Sequence, residues 1–254
     1  MHDYPILEFD PDPDAIISAQ RLITPIEGMP RHALLCFFGD QIARMAEEGI
    51  AEPISDIRGE MGRHIIYRIE HQGQPLAIVQ PGVGAPLAAG FVEEMIAKGC
   101  DRFIACGGAG VLDREIAAGH LLIPTEALRD EGTSYHYMSP SRWVSPDPSA
   151  VQAIEATLAE HGIEFLRCKT WTTDAFYRET PKKVAKRKAE GCLCVEMEAS
   201  ALFAAARFRD VPLAQVLYAG DDVSGLDWDP REWNDRHDVR ERVIWLAAEA
   251  CLRL

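Results

Sequence analysis

Carboxylates gather at two places in this chain, and glycines at two more. Val195-Glu196-Met197-Glu198-Ala199-Ser200 sets two glutamates on either side of a methionine, at the end of an apolar run. A carboxylate accepts two hydrogen bonds from a vicinal diol, and a thioether offers a soft apolar surface to a sugar ring. The competing reading has the glutamates complement the dipole of a following helix, which accounts for one of them better than for both. Gly220-Asp221-Asp222 follows a second apolar run. A carboxyl held among apolar groups can keep its proton and serve as a general acid, whereas an aspartate in a turn is equally a common capping residue. Pro81-Gly82-Val83-Gly84-Ala85-Pro86 and Cys106-Gly107-Gly108-Ala109-Gly110 are the glycine-rich stretches. Left-handed glycines can aim successive N–H groups into an anion-binding concavity, or such loops are simply tight strand-to-helix turns. Neither continues into Gly-Lys-Ser/Thr, and neither fits G-x-G-x-x-G with a spaced acidic residue, which argues against a dinucleotide-dependent oxidoreductase.

Elements must bring these residues together. Apolar runs over 33–38, 76–80, 102–106, 121–123, 168–172, 192–197 and 213–217 predict strands, and helical spacing predicts helices over 41–48, 87–98, 150–161, 181–190, 199–209 and 239–252. Strands alternating with helices give an α/β fold with a mostly parallel or mixed central sheet flanked by helices. We expect one domain over 1–254. Residues 1–30, rich in Pro and Asp, read as an extended N-terminal arm with one helical turn near Ile16. Ligands of open α/β sheets bind beyond the carboxyl ends of the strands. Gly39-Asp40, both glycine loops, Glu196-Met197-Glu198 and Gly220-Asp221-Asp222 all fall at such ends.

The bulk properties narrow the partners. With 254 residues, 47% of them hydrophobic, the chain can bury a sizeable core. A net charge of −14 repels nucleic-acid backbones and anionic membranes, so neither is expected as a partner. A small anion stays possible, because local backbone amides bind anions against the global field. No apolar run approaches the roughly 20 residues needed to span a bilayer. Met1-His2-Asp3-Tyr4-Pro5 lacks the basic start and apolar stretch of a signal peptide, so a cytoplasmic location is expected. Cys36, Cys100, Cys106 and Cys168 read as small buried hydrophobes, and Cys192/Cys194 lacks the second pair or spaced histidine of a zinc site, so no metal is expected.

Taken in order, the motifs resemble the nucleoside phosphorylase-I family of purine nucleoside and uridine phosphorylases and related nucleosidases. The resemblance runs from about Ala33 to about Ser224. It rests first on Val195-Glu196-Met197-Glu198-Ala199 before an Ala-rich helix. It rests next on Gly108-Ala109 followed by Ala118-Gly119-His120-Leu121-Leu122-Ile123, and on Thr172-Thr173-Asp174-Ala175-Phe176-Tyr177, similar to the uridine phosphorylase SSDTFY. Arg129-Asp130-Glu131-Gly132-Thr133-Ser134-Tyr135-His136-Tyr137 resembles a loop of a less characterised branch. The resemblance implies an enzyme that cleaves the N-glycosidic bond of a ribonucleoside, with phosphate as co-substrate and no cofactor, working as a homo-oligomer (a dimer or a trimer of dimers). It implies Met197 against the ribose, Glu198 on its hydroxyls with Glu196 beside it, Phe176 stacked on the base, and Asp221 as the acid that protonates the leaving base. Asp222 stands one residue away as the alternative acid. Asp221 leans towards a purine. Thr180 and Lys182 fall where the uridine enzymes read uracil.

The phosphate site departs from the family pattern. Gly39 keeps its place, but Ala43 and Phe103 stand where the family has arginines, and Cys106 replaces a Ser/Thr ligand. Arg44 and Arg102 are each one residue displaced and face elsewhere. Arg63, or Arg58, is the candidate for an arginine donated by a neighbouring subunit. Three readings stand: phosphate held by amides and another arginine, a hydrolase using water, and a nucleoside-binding protein without turnover. A hydrolase would need a base, for which Asp40, Glu60, His64 and His136 are candidates.

Overall fold

The computed structural model describes residues 4–254, so the first three residues of the expected arm lie outside the described residues. Ten strands and seven α-helices follow in the order α1 (Ala19–Leu22), β1 (His32–Cys36), α2 (Gly39–Glu47), β2 (Glu52–Gly59), β3 (Gly62–His71), β4 (Gln74–Val79) and α3 (Ala85–Lys98). Then come β5 (Arg102–Val111), β6 (Leu121–Asp130), β7 (Trp143–Val144), α4 (Pro148–Glu160), β8 (Phe165–Thr173), α5 (Pro181–Ala189), β9 (Cys192–Glu196), α6 (Ala199–Phe208), β10 (Leu213–Asp222) and α7 (His237–Leu252). Several helices start where the sequence chemistry allows. The Asp147 carboxylate accepts the Ser149 and Ala150 N–H groups before Pro148 opens α4, and the Thr180 hydroxyl accepts the Lys183 N–H before Pro181 opens α5.

The sheet is mixed, as expected. β1 pairs in parallel with β4 and β5, and β3 adds antiparallel to β4 with β2 at the edge. Beyond β5 the sheet closes on itself: β5 pairs with β10, β10 with β6, β6 with β8, β8 with β9, and β9 back with β5. A buried cluster within that ring mixes small side chains, Ala109, Cys168, Cys194 and Ala219, with Val111, Ile116, Leu122 and Leu217, which fill it as a packed core. This explains the C-x-C: Cys194 is a barrel-interior residue, 3.8 Å from the Cys168 sulfur. Helices α2, α4 and α7 share a core with one face of the sheet, and α3 and α6 with the other. No helix of the described residues is long and apolar enough to cross a membrane.

Three sequence expectations are corrected. The β2–β3 hairpin occupies a stretch given no element. Gly39-Asp40, read as a break, forms the first turn of α2. The glycine run 107–110, read as a loop, lies inside β5, and Gly220-Asp221-Asp222 inside β10. Gly108 is needed for close approach: a Cβ there would lie 3.0 Å from the Tyr218 ring. Its backbone is extended, so this run is not a nest of amides.

Candidate functional site

The carboxyl ends of β4 and β9 meet where α3 and α6 begin, and the packing of α3 on α6 sets that junction. Ala85 and Ala89 of α3 meet Ala201 and Ala205 of α6 in a cluster of small buried side chains, which lets the two helices approach closely. Their N-terminal caps, Gly84 and Glu198, are thereby brought together. The Gly84 N–H donates to Oε1 of Glu198 at 2.6 Å.

The two glutamates of the motif have different tasks. Glu196 is buried, and its Oε2 accepts the N–H groups of Glu198 at 2.7 Å and Ala199 at 2.6 Å, capping α6. Its Oε1 accepts the Thr172 hydroxyl at 2.6 Å and the Thr170 hydroxyl at 3.2 Å. With those four donors in place Glu196 serves the scaffold. Glu198 is also buried, but its side chain does not cap its own helix and is held by Gly84 alone among the described residues. Burial first, and then the nearby charge of Glu196, push the Glu198 carboxyl up to about 8. Met197 lies half-buried between them.

Behind this pair sits a polar knot built from the loop after β6. The Glu131 carboxylate accepts the Thr133 and Ser134 N–H groups at 2.6 and 2.9 Å and the Ser200 hydroxyl at 2.9 Å. Arg129 donates to the Ser134 and Ser141 hydroxyls at 2.8 and 2.7 Å and to the Ser139 carbonyl at 2.8 Å. These bonds fix the start of α6 against β6, so the loop that the resemblance singled out is a positioning device. His136 is exposed on it.

At the far end, Phe176 is half exposed and its ring lies tilted by 41° against that of Tyr177, with centroids 4.0 Å apart. Asp221 is half-buried, and its Oδ2 accepts the Trp228 indole N–H at 2.7 Å. Asp222 is buried and differently engaged: Arg231 donates to it at 2.8 Å and the Ser224 N–H at 2.8 Å. Burial opposes its charge, but these bonds and the charge of Arg231 outweigh that and hold its carboxyl below the ordinary range. Asp221 is therefore the aspartate without a cationic partner. Thr180 is spent on capping α5, and Lys182 is exposed on that helix, so neither is built into a pocket.

The expected phosphate ligands separate. Gly39 opens α2 beside the Gln80 side chain. Cys106 is wholly buried in the core shared with Cys36 and Cys251, which removes it from the candidate ligands. Phe103 is likewise core. Arg44 points away to Glu241 at 2.6 Å. Arg63 and Arg58 lie exposed on the β2–β3 hairpin, both bonded to Asp56. His64 packs edge-on against Phe91, and Glu60 is exposed. Two groups escaped the sequence. Arg240 of α7 stands beside Asp40 at 3.2 Å, over the Phe38 ring at 5.5 Å. Glu179, two residues beyond Tyr177, is half-buried, and burial first and then the charge of Asp221 push its carboxyl up to about 7; only its nearness to the Phe-Tyr pair hinted at it.

The family model described as the phosphorylase superfamily matches residues 31–254. A guanosine phosphorylase of Halorubrum lacusprofundi is 28% identical over 235 residues, covering 83% of this chain and 97% of its own. A uridine phosphorylase of Thermococcus kodakarensis is 32% identical over 179 residues, 65% of this chain and 62% of that protein. The same fold is seen in a purine nucleoside phosphorylase from Toxoplasma gondii crystallised with immucillin-H, with a TM-score of 0.76 at 19% identity, covering 91% of this chain and 96% of that one. A uridine phosphorylase from Vibrio fischeri superposes with a TM-score of 0.74 at 22% identity over 92% of this chain and 97% of its own.

Proposed function

This chain belongs to the phosphorylase superfamily, and from that premise we propose that it cleaves the N-glycosidic bond of a purine ribonucleoside by phosphorolysis, giving free base and ribose 1-phosphate. The observation that carries the reading is Glu198: a buried carboxyl at a strand end, freed from capping by Glu196 and aimed by the Gly84 N–H. A vicinal diol supplies the two donors such an acceptor lacks. Met197 would face the sugar ring and Phe176 the base. Asp221, free of any cationic partner among the described residues, would protonate the leaving base as the C–N bond breaks and the sugar gains oxocarbenium character. The guanosine phosphorylase relative supports the phosphorolytic version.

Hydrolysis is the second reading, and one observation favours it. Phe103 and Cys106 are core residues, and Arg240, the guanidinium beside Gly39-Asp40, is engaged by Asp40. A phosphate dianion would have to draw on that pair, on the first amides of α2 and on a guanidinium from a neighbouring subunit. The test is base release from a nucleoside panel in phosphate buffer and in phosphate-free buffer. Release that requires phosphate, with ribose 1-phosphate formed, establishes phosphorolysis, and release of free ribose without phosphate establishes hydrolysis. Asp221→Asn is expected to slow release by roughly 10²–10⁴-fold. An unchanged rate removes Asp221 from the reaction.

A further inference from the structure

The chain beyond β10 folds back on the proposed acid. Asp222 pairs with Asp229 across an antiparallel bridge: its N–H donates to the Asp229 carbonyl at 2.8 Å, and the Asp229 N–H donates to the Asp222 carbonyl at 3.1 Å. Side chains of paired strands alternate between faces, so Asp221 and Trp228 fall on one face of the bridge and Asp222 and Asp229 on the other. The contacts follow that register. On one face, Arg231 donates to Asp222 at 2.8 Å and to the carbonyls of Ile116 and Arg114 at 2.8 and 3.2 Å, which ties the foot of the loop to the chain after β5. On the other, the Trp228 indole N–H donates to Oδ2 of Asp221 at 2.7 Å. No other hydrogen bond reaches the Asp221 carboxyl from the described residues. It lies against the bare Cα of Gly110 on β5, where a Cβ would stand 3.4 Å from both of its oxygens. The Trp228 side chain is itself 61% exposed, so the loop spends a large aromatic residue on one inward hydrogen bond rather than on core packing.

We propose that Trp228 is the positioning residue of the acid: its indole N–H occupies Oδ2 of Asp221 and holds the acid proton on Oδ1, the oxygen left to protonate the leaving base. The inference rests on the N-glycosidic reading above, with Asp221 as the acid. An indole N–H donates and never accepts, so Trp228 cannot take the proton from Asp221. In a carboxylic acid the carbonyl oxygen accepts more strongly than the hydroxyl oxygen, so a donor on Oδ2 favours the proton on Oδ1. As the C–N bond breaks, its electron pair stays with the base, the Oδ1–H bond breaks and the new N–H bond of the base forms. Asp221 is left as a carboxylate. The Trp228 N–H, already in place, then makes a charge-assisted bond, stronger than the neutral one it made before. A bond that strengthens along the reaction stabilises the transition state more than the bound substrate. It acts on the rate of cleavage and leaves substrate affinity nearly alone.

The test measures kcat and KM for the nucleoside of the panel above that is cleaved fastest, on the wild-type protein, Trp228→Phe, Trp228→Gln, Asp221→Asn and the double variant Trp228→Phe/Asp221→Asn. Trp228→Phe keeps a ring on the loop and removes the N–H. Trp228→Gln removes the ring and offers an amide N–H as many bonds from Cβ. Trp228→Phe should lower kcat by roughly 10–100-fold, the loss of a hydrogen bond to a charged group, with KM within about two-fold of wild type. Trp228→Gln should recover about half of that loss or more on a logarithmic scale. The double variant should be no more than about two-fold slower than Asp221→Asn, because the effect runs through the carboxylate, whereas a packing role would multiply the two losses. Independently of turnover, the indole N–H resonance of Trp228, assigned by its loss in Trp228→Phe, should move upfield in Asp221→Asn. An unmoved resonance, a Trp228→Phe kcat equal to wild type, a loss that falls on KM, a full second loss in the double variant, or Trp228→Gln slower than Trp228→Phe overturns the proposal. Base release slowed by Asp221→Asn but not by Trp228→Phe sinks this role alone and leaves the N-glycosidic reading standing. A wild-type protein that releases no base sinks that reading, and this role with it, whatever the resonance does.

Discussion

Glu196 and Glu198 stand two residues apart at the end of β9, and their neighbours give them opposite fates. Thr170 and Thr172 reach Glu196 from the adjacent strand, and the first amides of α6 finish its shell. Glu198 lies past the strand end and, among the described residues, accepts only the Gly84 N–H. From the sequence, both are carboxylates beside Met197, and nothing local separates them; the difference is made by β8, more than twenty residues earlier. Glu179 is less legible still, because the burial and the Asp221 charge that raise its carboxyl come from elsewhere in the chain. Asp221 itself was readable as a strand-end carboxylate, although Arg231, which separates it from Asp222, was not. The state of Glu198 has a measurable consequence. Its carboxyl is raised from about 4.5 to about 8 by burial and by Glu196, so between those values the folded protein holds a proton that the unfolded chain has released. Stability must then fall as the pH rises through this window, by up to about 1.4 kcal/mol per pH unit for one fully shifted group. Without ligand, the melting temperature should decline by roughly 2–4 °C per unit between pH 5 and 8, and Glu198→Gln should decline less steeply. Parallel slopes for the two proteins would show that Glu198 is ionised throughout.

At the scale of elements, the site exists because two helices begin at the same place. α3 and α6 can lie close only where alanine faces alanine, and Ala85, Ala89, Ala201 and Ala205 provide that stripe. The Ala-rich character of α6 was plain in the sequence, but its partner was not, since period alone does not say which helices meet. The strands were legible where they are continuously apolar and cut short where they carry glycine. β5 runs on through Gly107, Gly108 and Gly110 because it must pass close to Phe37, Tyr218 and Asp221, and a close-approach glycine looks in the sequence like a turn glycine. The β2–β3 hairpin went unread because its strands, towards the sheet edge, mix exposed Arg58, Arg63, Arg68 and Glu70 with buried Ile57, Ile66 and Ile69. Enlarging one member of the alanine stripe tests its role. Ala201→Leu should cost about 1–3 kcal/mol of stability by overpacking and part Gly84 from Glu198. Nucleoside KM should therefore rise, while binding of the free base, which needs no sugar contact, stays near the wild-type value. A nucleoside KM that does not move would mean that the Gly84–Glu198 bond does not depend on this packing.

For the whole molecule, the problem is how a chain of net charge −14 would hold a dianion. Backbone amides at the start of α2 supply partial charge, but the cation beside them, Arg240, also serves Asp40, the Tyr218 hydroxyl and the Trp233 carbonyl at 3.2, 3.2 and 3.0 Å. The β2–β3 hairpin offers a second source. Ile66 pairs with Val79, the last residue of β4, so residues 62–65 run past the carboxyl end of that strand and carry Arg63 outward with Arg58 opposite. Both guanidiniums are exposed and share Asp56, whose carboxyl they hold below its ordinary range. Under the phosphorolytic reading, that exposed tip is the part of the chain that would carry charge to a neighbouring copy. On that reading, the protein should sediment as a homo-oligomer. Arg63→Ala should then raise the KM for phosphate by roughly 10–100-fold, the loss of a charge-assisted hydrogen bond of about 1.5–3 kcal/mol, while affinity for the free base is retained. If Arg58 makes the contact instead, Arg58→Ala carries the effect and Arg63→Ala does not. A monomer with full phosphorolytic activity, or two variants with unaltered phosphate KM, would mean that the anion is held within one chain, and Arg240 would then be the guanidinium to remove next.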